Sequence, residues 1–142
     1  MIRERLVRLA LLATAAALLG SSSAVAHVAA NPTVLADCLG KPVVKPDEIV
    51  LACGDGNESV GDLTWTGWGS RFTAGRGIVQ INDCSPSCVA GHDHSYPVVV
   101  LLTGRETCRP SGKIAYRTLT IAFLDHKSHT TGTQTFPCHP FG

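Results

Sequence analysis

His92-Asp93-His94 sets two imidazoles two residues apart. On an extended segment, side chains at that spacing project to the same side, which is how a strand presents two ligands to one metal ion. His126, His129 and His139 lie further along and would have to fold back to join them. Cys84-Ser85-Pro86-Ser87-Cys88, followed by His92, offers two sulfurs and an imidazole, a set that suits copper. A blue-copper centre also wants an upstream His and a downstream Met, and here the only upstream His is His27 and the only Met is Met1. Asp55-Gly56-Asn57-Glu58-Ser59 supplies the first three ligand types of a calcium loop. Val60 then stands where that loop needs glycine, and Thr66 where it closes on glutamate, so the segment reads as a hairpin turn. There is no Gly-x-Ser-x-Gly elbow for a serine nucleophile, and cysteines held in disulfides supply no thiolate. The residues therefore point to no catalytic group and no cofactor, with His92 and His94 as ligands only in an alternative zinc- or copper-binding reading.

Two tryptophans sit close together in Trp65-Thr66-Gly67-Trp68-Gly69. The chain has only two Trp, two Tyr and four Phe, so at least one Trp is needed to fill the core. Trp65, two residues beyond Leu63 and so on the same face of a strand, is assigned there. Trp68, between two glycines, is the candidate ligand contact, because an aromatic ring at a surface turn can anchor a glycan or a partner protein.

These residues must be positioned by strands. Lys41-Pro42-Val43-Val44-Lys45-Pro46 reads as extended backbone. Glu48 to Cys53 is a β-type run that ends at the turn signal Gly54-Asp55-Gly56-Asn57. Further strands are expected over Val60 to Trp68, Gly77 to Asn82 and Tyr96 to Thr103. The run Val98-Val99-Val100-Leu101-Leu102 is the pattern of a central strand buried on both faces. Ile114 to Leu124 is the longest candidate, with Leu119, Ile121 and Phe123 on one face and Tyr116, Thr118 and Thr120 on the other. After Asp125 the chain turns polar. No segment keeps a helical period, and short strands between Gly, Pro and Asn turns predict an all-β fold, a small antiparallel β-sandwich or barrel.

Residues 1–26 combine Arg3, Arg5 and Arg8 with an apolar run from Leu9 to Leu19 and the small-residue site Ala24-Val25-Ala26. That is a basic n-region, an apolar stretch too short to span a bilayer, and a cleavage site. The expectation is a signal peptide removed after Ala26, a flexible leader over 27–36, and one secreted β-domain with a polar C-terminal tail over 37–142. Losing Arg3, Glu4, Arg5 and Arg8 from 12 basic and 11 acidic residues leaves a mature chain that is nearly neutral. Such a balance gives no case for nucleic acid, and no later stretch is long and apolar enough for a membrane span.

All six cysteines, Cys38, Cys53, Cys84, Cys88, Cys108 and Cys138, follow the cleavage site. An even count in a small exported domain reads as a disulfide framework, although spacing alone leaves many pairings open. The expected pairing is Cys38 with Cys53, joining an entry segment to the next strand, Cys84 with Cys88, clamping a loop, and Cys108 with Cys138, tying the tail to a hairpin.

Several blocks recur in one order: Cys53-Gly54-Asp55-Gly56-Asn57, Leu63-Thr64-Trp65 with Trp68-Gly69, Asn82-Asp83-Cys84 with Pro86 and Cys88, and Tyr96-Pro97-Val98. Together they resemble an uncharacterised family of small secreted actinobacterial proteins, over roughly residues 37 to 125. The resemblance implies a secreted, disulfide-containing β-domain and transfers no catalytic residue. The functional expectation is a secreted non-enzymatic binding domain whose partner is an extracellular or envelope protein or glycan. Its alternatives are the exported metal-binding protein, a small secreted enzyme, and a protease inhibitor with a rigid loop braced by Cys84 and Cys88.

Overall fold

The computed structural model describes residues 32–125 and 131–138. Ten strands follow in chain order: β1 (Leu35–Ala36), β2 (Pro42–Val43), β3 (Ile49–Val50), β4 (Glu58–Thr66), β5 (Thr73–Asn82), β6 (Asp93–Thr103), β7 (Glu106–Thr107), β8 (Ile114–Ala115), β9 (Thr118–Phe123) and β10 (Gly132–Thr135). Six of them form one antiparallel sheet in the order β10-β9-β6-β5-β4-β3, curled into half a barrel. The other four make two short hairpins, β1 with β2 and β7 with β8. The all-β class expected from the sequence is the class observed, and no helix occurs among the described residues.

Directly opposed residues in neighbouring strands share a face. The register therefore lines the inner face with the rows Thr73, Leu102, Leu119 and Gly75, Val100, Ile121, and with Val60, Val79, Tyr96. Val60, Val79, Val100, Leu102 and Leu119 are wholly buried in one core with Leu35, Ile49, Leu63 and Phe136. Between Gly61 and Thr64, β4 carries a bulge, with Asp62 in the left-handed region at φ 53°. The bulge adds one residue, which lets both Val60 and the odd-numbered pair Leu63 and Trp65 face inward despite the period of two. Trp65 lies over Gly75, where a Cβ would come within 2.9 Å of the indole and 2.8 Å of Val100, so that strand position has no room for a side chain.

Two expectations need correction, and two stretches gain detail. The Val98–Leu102 run is buried on one face only: Val98, Val100 and Leu102 are inside, whereas Leu101 is 38% exposed. The reason is the single curled layer, which leaves its outer face without a covering sheet. The span Ile114 to Leu124 is two strands, β8 and β9, and Tyr116 in the break turns into the core instead of joining the polar face. Of the residues assigned to the leader, Thr33, Val34, Leu35 and Ala36 are buried. Val34 N–H donates to Ile114 O at 2.8 Å and Val34 O accepts Tyr116 N–H at 3.0 Å. The polar tail contributes a strand, because β10 pairs with β9 from Gly132↔Ile121 to Thr135↔Thr118.

The disulfides are Cys38–Cys53, Cys84–Cys88 and Cys108–Cys138, the pairing expected from position. The first fastens the β1–β2 hairpin to the β3–β4 turn, the second lies within the β5–β6 loop, and the third ties the chain beyond β10 to the β7–β8 hairpin.

Candidate binding surface at the Trp68 turn

Residues 67–72 connect β4 to β5. Gly67 and Gly69 hold φ of 71° and 88°, left-handed values that glycine adopts at low cost, and the turn closes with Ser70 N–H donating to Gly67 O at 3.0 Å. Beneath it lie two wholly buried hydroxyls. Thr73 Oγ1 donates to Gly67 O at 2.9 Å, Tyr116 Oη accepts Gly69 N–H at 2.8 Å, and the same phenol donates to Ser70 O at 2.9 Å. Three backbone groups of one turn are thus satisfied by side chains arriving from β5 and from the β8–β9 break, which holds the turn in a single shape.

Trp68, the contact residue expected from the sequence, is half-buried. Its indole N–H donates to Thr33 O at 2.8 Å, and its ring meets Trp65 and Tyr116 edge-on at centroid distances of 5.0 and 5.4 Å. With its donor used internally, only the uncovered part of the ring is left to meet a ligand. The open aromatic is Phe72, 59% exposed, with the Arg71 guanidinium 5.5 Å from its centroid. Arg105 approaches from the other side of Thr33, and its Nε donates to Thr33 Oγ1 at 2.9 Å. Thr33 therefore gathers Trp68 and Arg105 through one residue. Arg117 nearby is ion-paired with Glu106, while neither Arg71 nor Arg105 pairs with an acidic group among the described residues. Sequence reasoning missed Thr33, Arg71, Phe72 and Arg105. Arg71-Phe72 directly after the glycine-flanked Trp was an available signal, whereas nothing in spacing relates Thr33 or Arg105 to Trp68.

The opposite end of the sheet carries the His-Asp-His run. Asp83 organises the β5–β6 loop: its Oδ1 accepts the backbone N–H of Ser85 at 3.0 Å and of His92 at 2.9 Å, and its Oδ2 lies 3.2 Å from His94 Nε2. Those contacts, the His92 amide first, hold its carboxyl down to about 2. Asn82 braces the same loop by accepting Cys84 N–H and donating to Asp93, both at 2.9 Å. Gly91 packs beneath these groups, where a Cβ would fall 2.3 Å from Asn82 Oδ1. His94 also stacks on Tyr96, whose ring meets Phe123 edge-on. Among the described residues His92 and His94 do not converge with a third ligand, and His126, His129 and His139 lie outside the described residues. The one convergent group, Glu106 with Cys108 and Cys138, has both sulfurs joined in a disulfide. At the loop tip Val89 is fully exposed and occupies the third position of a turn closed by Ala90 N–H to Ser87 O at 3.0 Å. That is a folded presentation, unlike the extended segment that a substrate-like inhibitor offers.

Two hollows of about 310 and 240 Å³ flank the Cys38–Cys53 disulfide, one against Val43 and Ile49 and the other against Gln134 and Phe136. Asp37, on the rim of both, is engaged in its own turn by accepting the N–H groups of Leu39 and Lys41. No helix among the described residues is long and apolar enough to cross a membrane. Comparison with known proteins found no matching family model, no similar curated protein and no similar solved structure. Function therefore rests on this geometry.

Proposed function

We propose that the chain is exported and works outside the cytoplasm as a non-enzymatic binding domain that meets an envelope or extracellular partner through the Trp68 turn. The observation that carries this reading is the pair Arg71 and Phe72, exposed on a turn whose backbone is held by the buried hydroxyls of Thr73 and Tyr116. A surface already ordered before binding pays little entropy when it binds. Support for export comes from the signal-like N-terminus and from three disulfides, which persist in oxidising compartments. The side chains with the most chemistry, Asp83 and His94, spend their hydrogen bonds on bracing a loop, which favours a scaffold over a catalyst.

The test is recovery of the protein from culture medium and envelope fractions, followed by non-reducing intact mass. The expected product begins at His27, is lighter than the reduced chain by six hydrogens, and sediments with envelope material or extracellular polymer. A cytoplasmic product, or one that binds neither fraction, would contradict the proposal.

A further inference from the structure

Two recognition elements, Arg71 and Phe72, lie on the Trp68 turn, and a third, Arg105, comes from the β6–β7 link and reaches Thr33, which also holds the Trp68 indole. Phe72 is 59% exposed, and the part of its ring that Arg71 does not cover suits the C–H face of a sugar ring better than a charged or strongly hydrated group. Arg71 is held over that ring, so its guanidinium is already beside whatever stacks there. Arg105 has Nε anchored on Thr33 Oγ1, which fixes the plane of the guanidinium and leaves its Nη groups as a fork for an oxyanion. Glu106, the acid next to Arg105 in the chain, is taken by Arg117.

We propose that this surface takes an anionic polysaccharide, with a pyranose ring on Phe72 and the negative group of that or the next sugar held by Arg71 and Arg105. The inference rests on the binding-domain reading and names its ligand class. Near-neutrality of the whole chain matters to it: with no general positive field, binding depends on these two guanidiniums, so its salt dependence should be shallow, that of about two charges.

The experiment titrates the intact, disulfide-bonded protein with polygalacturonate, whose charge is a carboxylate, and with phosphomannan, whose charge is a phosphate. Pullulan serves as the neutral sugar polymer and polyphosphate as charge without sugar. Trp68 lies on the turn in edge contact with Trp65, both half-buried, so indole fluorescence reports occupancy. The expected result is saturable binding of one or both anionic polysaccharides. Arg71→Gln with Arg105→Gln should weaken it at least tenfold, Phe72→Ala should weaken it several-fold, and Val89→Ser at the far end should leave it unchanged. Circular dichroism identical to wild type would show that the exposed arginines were removed without loss of fold. Polyphosphate bound as tightly as the anionic sugars would overturn the sugar part of the proposal. Pullulan bound equally well, with no effect of the arginine substitutions, would overturn its anionic part while leaving a glycan-binding domain in place. If none of the four polymers bound, the ligand class would be wrong, and sedimentation with envelope material would then decide separately whether the binding-domain reading survives.

Discussion

Thr73 and Tyr116 meet oxygen to oxygen at 2.5 Å beneath the turn that carries Trp68. They come from positions 43 residues apart, and both are wholly buried. Together they reach the backbone of Gly67, Gly69 and Ser70, so a turn whose side chains Arg71 and Phe72 face solvent has its backbone tied to the core.

Removing one oxygen tests that network. Tyr116→Phe keeps the ring contacts but strips a partner from Gly69 N–H and from Ser70 O in a part-buried setting, and should destabilise the protein by about 1–3 kcal/mol. Urea unfolding gives the number. An unchanged midpoint would mean that water replaces the phenol freely and that the turn is not held from below.

Trp68 and Phe72 should separate cleanly when each is truncated. Trp68 packs on Trp65 and Tyr116 and donates to Thr33, so Trp68→Ala should cost roughly 3 kcal/mol. Phe72 is mostly exposed, and Phe72→Ala should stay within about 0.5 kcal/mol while weakening ligand binding. The reverse order of stabilities would invert the assignment of anchor and contact residue.

The three disulfides should rank by the length of chain they close. Cys38–Cys53 and Cys108–Cys138 are separated by 15 and 30 residues, and Cys84–Cys88 by 4. On a chain-entropy basis the two long closures contribute about 3 to 4 kcal/mol each and the short one about 2. Paired Cys→Ser variants compared in urea should therefore show the Cys84/Cys88 variant as the most stable of the three. Finding it the least stable would mean that the β5–β6 loop governs the fold.

Acid should weaken the β5–β6 loop through Asp83. Its folded value of about 2 lies below the ordinary 3.8, so the native state favours the carboxylate. The stabilisation is fully present above about pH 4 and is lost as pH falls towards 2. Asp83→Asn should lower stability at neutral pH and flatten the acid limb between those values. NMR titration of the Asp83 carboxyl with a midpoint near 4 would remove the basis for this.

What could be read from the sequence was set by local pattern, and what could not was set by distant contacts. Strand positions follow from period-two alternation and Gly-Asp-Gly-Asn type turns, whereas the disulfide pairing, though the one expected, was one of many that spacing left open. The Asp62 bulge escaped notice because a period of two counted through it puts Val60 and Leu63 on opposite faces, whereas the extra residue brings both inside. Tyr116 looked like part of a polar face because the break between β8 and β9 has no Gly or Pro to mark it. Thr33 was assigned to a leader, yet its two oxygens receive Trp68 and Arg105 from positions 35 and 72 residues away. Trp68 was the contact residue expected from its flanking glycines; it is half-buried, and the exposed ring on that turn is Phe72.

The most direct test of the account is where a natural ligand touches the protein. Two-dimensional NMR of the intact protein, titrated with soluble polymer released from the envelope or the medium, reads every backbone amide and the two indole N–H groups at once. The account predicts shifts concentrated at 67–72, at Thr33, at Gly104 and Arg105, and at the Trp68 indole, with residues 83–92 unmoved. Shifts centred on Val89 and the β5–β6 loop, with the Trp68 turn silent, would contradict it.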